Sequence, residues 1–175
     1  MMDSRTRVRR IKLQREAEGY LELGLSRRAL MVLARMGDPT RLDGHSLYLW
    51  GEALRSLERF DDALTPLSRA AEIEPENIHI WLALGWCHKR LGKLDLAIED
   101  LEEALAADPN ESVIHYNLAC YWSLAGNKQR ALGYLEQSLA LDPRFARQTA
   151  TEPDFDPIRD DPDFQAVIKG QPVGD

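Results

Sequence analysis

The sequence predicts an all-α chain assembled from repeated helix pairs, and three observations predict it. Pro75, Pro109 and Pro143 fall 34 residues apart. Between them apolar residues recur at three- and four-residue spacing, the stripe of a helix buried on one side. Small residues return in register: Gly51, Gly85 and Ala119 at one place, Ala63, Ala97 and Ala131 at another. A small side chain lets two helix backbones approach closely, and a larger one at that place holds them apart.

Aligned on the prolines, the chain shows three ungapped units, 44–77, 78–111 and 112–145. The first reads Leu47-x2-Trp50-Gly51-x2-Leu54, then Ala63-x3-Leu67, Ala70 and Pro75. The second reads Trp81-x2-Leu84-Gly85-x2-His88, then Ala97-x3-Leu101, Ala104 and Pro109. The third reads His115-x2-Leu118-Ala119-x2-Trp122, then Ala131-x3-Leu135, Ser138 and Pro143. Gly92 and Gly126 mark turns inside units, where a residue at positive φ ends a helix cheaply. The prolines close each second helix because proline cannot continue one. Helices are expected near 45–57, 61–73, 78–91, 95–107, 112–125 and 129–141.

This pattern resembles the tetratricopeptide-repeat (TPR) family, whose unit is a pair of antiparallel helices. The resemblance implies a right-handed α-solenoid of such pairs, the TPR superhelix. A degenerate unit precedes the three: Leu13, Ala17, Tyr20, Gly24, Ala29 and Leu33 keep the spacing, with a first helix reaching back to about residue 4. Its Gly37-Asp38-Pro39 arrives two residues early, and Glu16 stands at a usually apolar place. Drift of this kind suits a terminal repeat. After 145 the period breaks, because Pro153, Pro157 and Pro162 prevent a seventh long helix. Asp161-Pro162 is a sound helix start, an N-cap followed by proline in the first turn, so a short helix is expected over 162–169. The run Asp154 to Phe164 resembles a tail found after the last repeat of many bacterial TPR proteins, and Phe155, Ile158, Phe164 and Ile168 are expected to plug the open end. The division expected is therefore a degenerate helix pair at 1–43, three TPR units over 44–145 and a capping segment at 146–175.

Composition narrows the function classes. The chain has 175 residues, 44% hydrophobic and 29% charged, the profile of a globular protein. No run approaches ~18 consecutive apolar residues, so no membrane-spanning helix is expected, and a cytoplasmic location is the default expectation. The net charge of −7 is uneven: residues 1–43 carry ten Lys/Arg against six Asp/Glu, residues 44–143 eight against sixteen, and residues 144–175 four against seven. An acidic body disfavours nucleic acid, whose phosphates need a continuous basic face. No phosphate loop, nucleophile elbow or zinc-protease motif occurs, and no histidine pair has metal-ligand spacing. Cys87 and Cys120 form neither a metal motif nor a disulfide framework. An acidic calcium loop in the tail lacks the glycine and final glutamate of an EF-hand. No enzyme, cofactor or metal is expected.

What remains is binding. TPR arrays bind ligands along the concave surface lined by each unit's first helix, and the resemblance assigns that surface position by position. It implies His45, Tyr48, Glu52 and Arg55, then His79, Leu82, Trp86 and Lys89, then Val113, Tyr116, Cys120 and Ser123, with Asn117 beside them. The degenerate unit adds Gln14, Glu18 and Leu21. Trp50, Trp81 and Trp122 occupy framework places and are expected in the core, as are His88 and His115. Trp86 is not required by the framework and falls on the groove face between Tyr48 and Tyr116, so it is the expected anchor. The two-carboxylate clamp with which some TPR domains hold acidic chaperone C-termini is not matched: its places read Tyr48, Glu52, Ala83, Val113 and Asn117. Starting one unit earlier gives Gln14, Glu18, Leu49, His79 and Ala83, which also fails. The expected function is a non-enzymatic scaffold or adaptor that receives a peptide or helix of an unidentified partner protein, with Arg55 and Lys89 favouring some negative charge. Self-assembly through the N-terminal repeat or the groove is the alternative. A third possibility is contact of Arg5, Arg7, Arg9, Arg10, Lys12 and Arg15 with acidic lipids or nucleic acid.

Overall fold

In the computed structural model of the chain, which describes residues 4–170, every regular element among those residues is a helix. The elements are α1 (Ser4–Glu22), α2 (Ser26–Ala34), α3 (Gly44–Ser56), α4 (Phe60–Ile73), α5 (Ile78–Arg90), α6 (Leu94–Ala107), α7 (Ser112–Leu124), α8 (Lys128–Leu141), α9 (Phe145–Thr149) and α10 (Pro162–Ile168). Short 3-10 turns cover Pro39–Arg41 and Pro153–Ile158. The helices expected over 45–141 lie within a residue of their predicted ends. No helix is long and apolar enough to cross a membrane, among the described residues.

Local chemistry explains the boundaries. Asp43 caps α3 by accepting from the Ser46 amide at 2.8 Å, and Asn77 caps α5 by accepting from the His79 amide at 3.2 Å. Asp161 caps α10 by accepting from the Asp163 amide at 2.9 Å, with Pro162 in the first turn, as the sequence implies. The turn glycines Gly24, Gly92 and Gly126 have φ of 70°, 72° and 75°. The same register in the first full unit holds Glu58, at φ 57°, so one L residue accepts the conformation its counterparts leave to glycine.

The chain divides into two compact units, up to Gly92 and from Lys93 onward, a break inside the second repeat. The first unit contains α1 to α5. Leu13, Ala17, Ala29, Leu33, Leu49 and Ala53 form one cluster, and Leu47, Leu54, Ala63, Leu67, Ile80 and Leu84 form the next. Gly51 works as the alignment predicts: a Cβ there would lie 2.4 Å from Leu67 Cγ, inside any real contact. The second unit contains α6 to α10, with Ile114, Leu118, Ala119, Ala131 and Leu135 buried between α7 and α8. Phe155 and Phe164 are both wholly buried there.

The framework aromatics sit nearer the surface than expected. Trp50, Trp81 and Trp122 are half-buried rather than core. The Trp81 Nε1 donates to the Pro75 carbonyl at 2.8 Å, and His115 Nε2 donates to the Pro109 carbonyl at 2.8 Å. One repeat position thus ties two successive units to the proline turn before each. His88 is half-buried and His115 is buried.

Candidate functional site

In the first unit, α3 and α5 present their predicted faces to one hollow of about 230 Å³ lined by Tyr48, Glu52, Arg55, His79, Leu82, Ala83 and Trp86. Six of these seven were expected from register; Ala83, one residue after Leu82, joins them. Trp86 is 38% exposed, unusual for a residue of its size in so helical a setting. The Lys89 ammonium lies over its ring, 5.4 Å from the centroid. Tyr48 is half-buried, and burial, reinforced by the Glu52 carboxylate and opposed by Arg55, pushes its hydroxyl up to about 12. The hydroxyl therefore stays protonated at neutral pH and can donate to a ligand. His79 is exposed at the same hollow.

Charge differs from expectation. Arg55 was expected to offer its charge to a ligand. Instead Arg55 Nε and Nη2 donate to both Glu52 oxygens, at 2.7 and 2.8 Å. Hydrogen bonding to Glu52 raises Arg55 further against its own burial. The two lie one helical turn apart on one face, so they neutralise each other.

The remaining predicted residues of this unit serve packing of the helix pairs. His45 Nε2 stands 2.6 Å from Glu18 Oε1, joining α3 to α1. Gln14 donates to Asp43 Oδ1 and to Ser46 Oγ, both at 3.0 Å, and so buttresses the α3 cap. Leu21 is half-buried.

In the second unit the α7 face expected to line the groove is covered. Tyr116 is 3% exposed, Cys120 2% and Ser123 0%. The Tyr116 ring stacks on Phe145 at 4.6 Å between centroids and meets the edge of Phe155 at 5.9 Å. The tail turn Pro153–Ile158 packs along α7. Phe155 in turn lies 5.3 Å from Phe164. The tail is held by Arg159, which donates to the carbonyls of Ala150 and Glu152, both at 2.5 Å, and by Lys128, which reaches Asp161 and Asp163 at 2.9 Å each. The tail thus lies along the α7 face that was expected to line the groove. Tyr116 at a groove position takes Phe145 and Phe155 against its ring, which no pattern within the repeat foretells. Val113 and Asn117 are half-buried on this helix.

Among the described residues no group of His, Cys, Asp and Glu is arranged to hold a metal. Cys87 and Cys120 are both buried free thiols.

The tetratricopeptide-repeat family model matches residues 48–112. No curated protein sequence matches the chain. Among solved structures, a fragment of MamA from Desulfovibrio magneticus RS-1 superposes with a TM-score of 0.73 at 21% identity, covering 97% of this chain and 92% of that one. A crystal structure of MamA gives 0.69 at 21% identity, covering 77% and 79%. YrrB, described as a TPR protein with an unusual peptide-binding site, gives 0.65 at 24% identity, covering 73% and 66%. At these identities the likeness speaks for architecture alone, and that architecture is the all-α solenoid of antiparallel helix pairs. The 34-residue period, the paired helices, the glycine turns and the family match over residues 48–112 agree, and the architecture they describe is that of the tetratricopeptide repeat.

Proposed function

We propose that the chain is a non-catalytic interaction scaffold whose hollow between α3 and α5 receives a peptide or helix of a partner protein. The observation that carries the reading is Trp86: an indole the repeat does not need, 38% exposed, at a hollow shared with Tyr48 and Leu82. Exposed aromatics in a concave place supply large contact area at low entropic cost and dominate interface energetics. The lining fixes the ligand chemistry. Leu82, Ala83 and the two rings take an apolar side chain, Tyr48 donates a hydrogen bond, and Lys89 attracts negative charge. Because Glu52 is held by Arg55, it does not repel such a ligand as a lone carboxylate would. YrrB, whose fold this chain shares, is described as binding peptide, which supports the class of ligand but not its identity.

The test is capture of partners from the source cell by the wild-type chain and by Trp86→Ala. The variant is expected to lose a specific partner, by about tenfold or more in affinity, while helical content and melting stay unchanged, since an exposed hot-spot aromatic contributes ~2 kcal/mol or more to binding and little to folding. Undiminished capture by Trp86→Ala refutes the hollow as the anchor site.

A further inference from the structure

The seam between α1 and α2 carries charge and exposed apolar surface that the α3–α5 hollow does not use. Residues 1–43 hold ten Lys/Arg and six Asp/Glu, in a chain otherwise strongly acidic. Terminal repeats of an array ordinarily present a polar outer face. Here Met31 is 71% exposed, Val8 66% and Ile11 40%.

Two hollows open along this seam and share Arg35. One, of about 60 Å³, is lined by Thr6, Arg9, Arg10, Leu13, Arg35 and Met36. The other, of about 310 Å³, is walled by Tyr20, Met31 and Val32, with Glu16, Arg28 and Arg35 around them. The charges here are held loosely. Arg10 is committed to Asp43 at 3.1 Å, while among the described residues Arg9 reaches the Arg35 carbonyl, at a long 3.4 Å. Arg28 rides 5.9 Å over the Tyr20 ring. Arg35 Nη1 is 3.5 Å from both Glu16 oxygens, with the two side chains 57% and 36% exposed. A long, exposed pair of this kind stabilises little, so a better-placed carboxylate can take Glu16's place.

We propose that the α1–α2 seam is a second docking surface, for an acidic amphipathic helix of a partner protein. Its apolar side chain enters the Tyr20–Met31–Val32 hollow, and its carboxylates turn to Arg28, Arg35 and Arg9. A helix presents an apolar anchor and flanking acids on one face at three- and four-residue spacing, which matches an apolar hollow edged by separate guanidinium groups. Nucleic acid fits less well, because the seam is interrupted by Glu16 and offers an apolar hollow where a phosphate backbone needs continuous positive charge.

The experiment is fluorescence anisotropy with the full chain and a labelled peptide of residues 94–107. That peptide is an amphipathic probe with five acidic and no basic residues. In the folded chain its apolar face is buried, Ile98 at 5% and Leu101 at 0%, so the peptide is a probe of chemistry and not of self-contact. Saturable binding that weakens with added salt is expected, about tenfold weaker in Arg35→Glu and about threefold weaker in Met31→Ser. Circular dichroism melting of each variant separates lost binding from lost folding. Absence of binding at about 1 mM overturns the proposal, as does equal binding by both seam variants or by a probe with its acids replaced by glutamine. Stronger competition by a duplex oligonucleotide than by unlabelled peptide reassigns the seam to nucleic acid. A full-length oligomer dissolved by Arg35→Glu reassigns it to a second copy. Either of these also overturns the proposal.

Discussion

Phe155→Ala tests whether the tail is what closes the α7 face. Phe155 is wholly buried, its ring 5.9 Å from Tyr116 and 5.3 Å from Phe164. Truncating a buried phenylalanine to alanine costs about 3–5 kcal/mol. The loss falls on the docking of the tail, because the Phe155 ring packs against Tyr116 of α7 and Phe164 of α10. Local opening of the tail is then favoured by the same amount, and at about 1.4 kcal/mol per tenfold the open population rises roughly a hundred- to several-thousand-fold, up to saturation. Cys120 reports this directly. It lies one turn beyond Tyr116 on the covered face and is 2% exposed, while Cys87 is wholly buried in the first unit. Timed alkylation with iodoacetamide, read for each cysteine by mass spectrometry, is expected to show Cys120 accelerating by that factor and Cys87 staying slow. If Cys120 labels no faster, the tail is not its cover. If both accelerate together, the variant unfolds the chain as a whole, and the reasoning about local docking fails.

The remaining predictions concern stability. Glu58→Gly is expected to raise stability by roughly 0.5–1 kcal/mol, because the left-handed conformation costs an L residue about 1–2 kcal/mol and glycine's greater chain entropy returns part of that. A urea midpoint equal to or below wild type refutes it. Asp43 carries a pH signature. Burial alone would raise its carboxyl, but hydrogen bonds from Ser46 and Arg10 outweigh burial and hold it below the ordinary 3.8. A carboxylate depressed in the folded state contributes stability that is present above its unfolded value and is lost as pH falls through the lower folded one. Urea midpoints followed down through the carboxylate range should therefore drop, and Asp43→Asn, which keeps a capping oxygen but cannot titrate, should make that drop shallower. An unchanged acid profile in Asp43→Asn refutes the assignment.

Where helices begin, turn and stop could be read from the residues alone, since these depend on neighbours in the chain. Asp161 before Pro162 starts α10, Gly92 and Gly126 take positive φ in their turns, and Gly51 leaves the room that Leu67 fills. The same register brought Tyr48, Leu82 and Trp86 to one hollow. The tertiary structure decided what each face meets. Arg55 faces the hollow as expected yet gives its charge to Glu52, because two flexible side chains one turn apart choose each other before any ligand arrives. Tyr116, Cys120 and Ser123 hold groove positions yet lie buried, and Tyr116 is met by Phe155 from a tail more than thirty residues further on. Periodicity records which side of a helix is apolar or small. It carries no record of whether that side meets solvent, a ligand or a distant part of the same chain, because that depends on contacts between residues far apart in sequence.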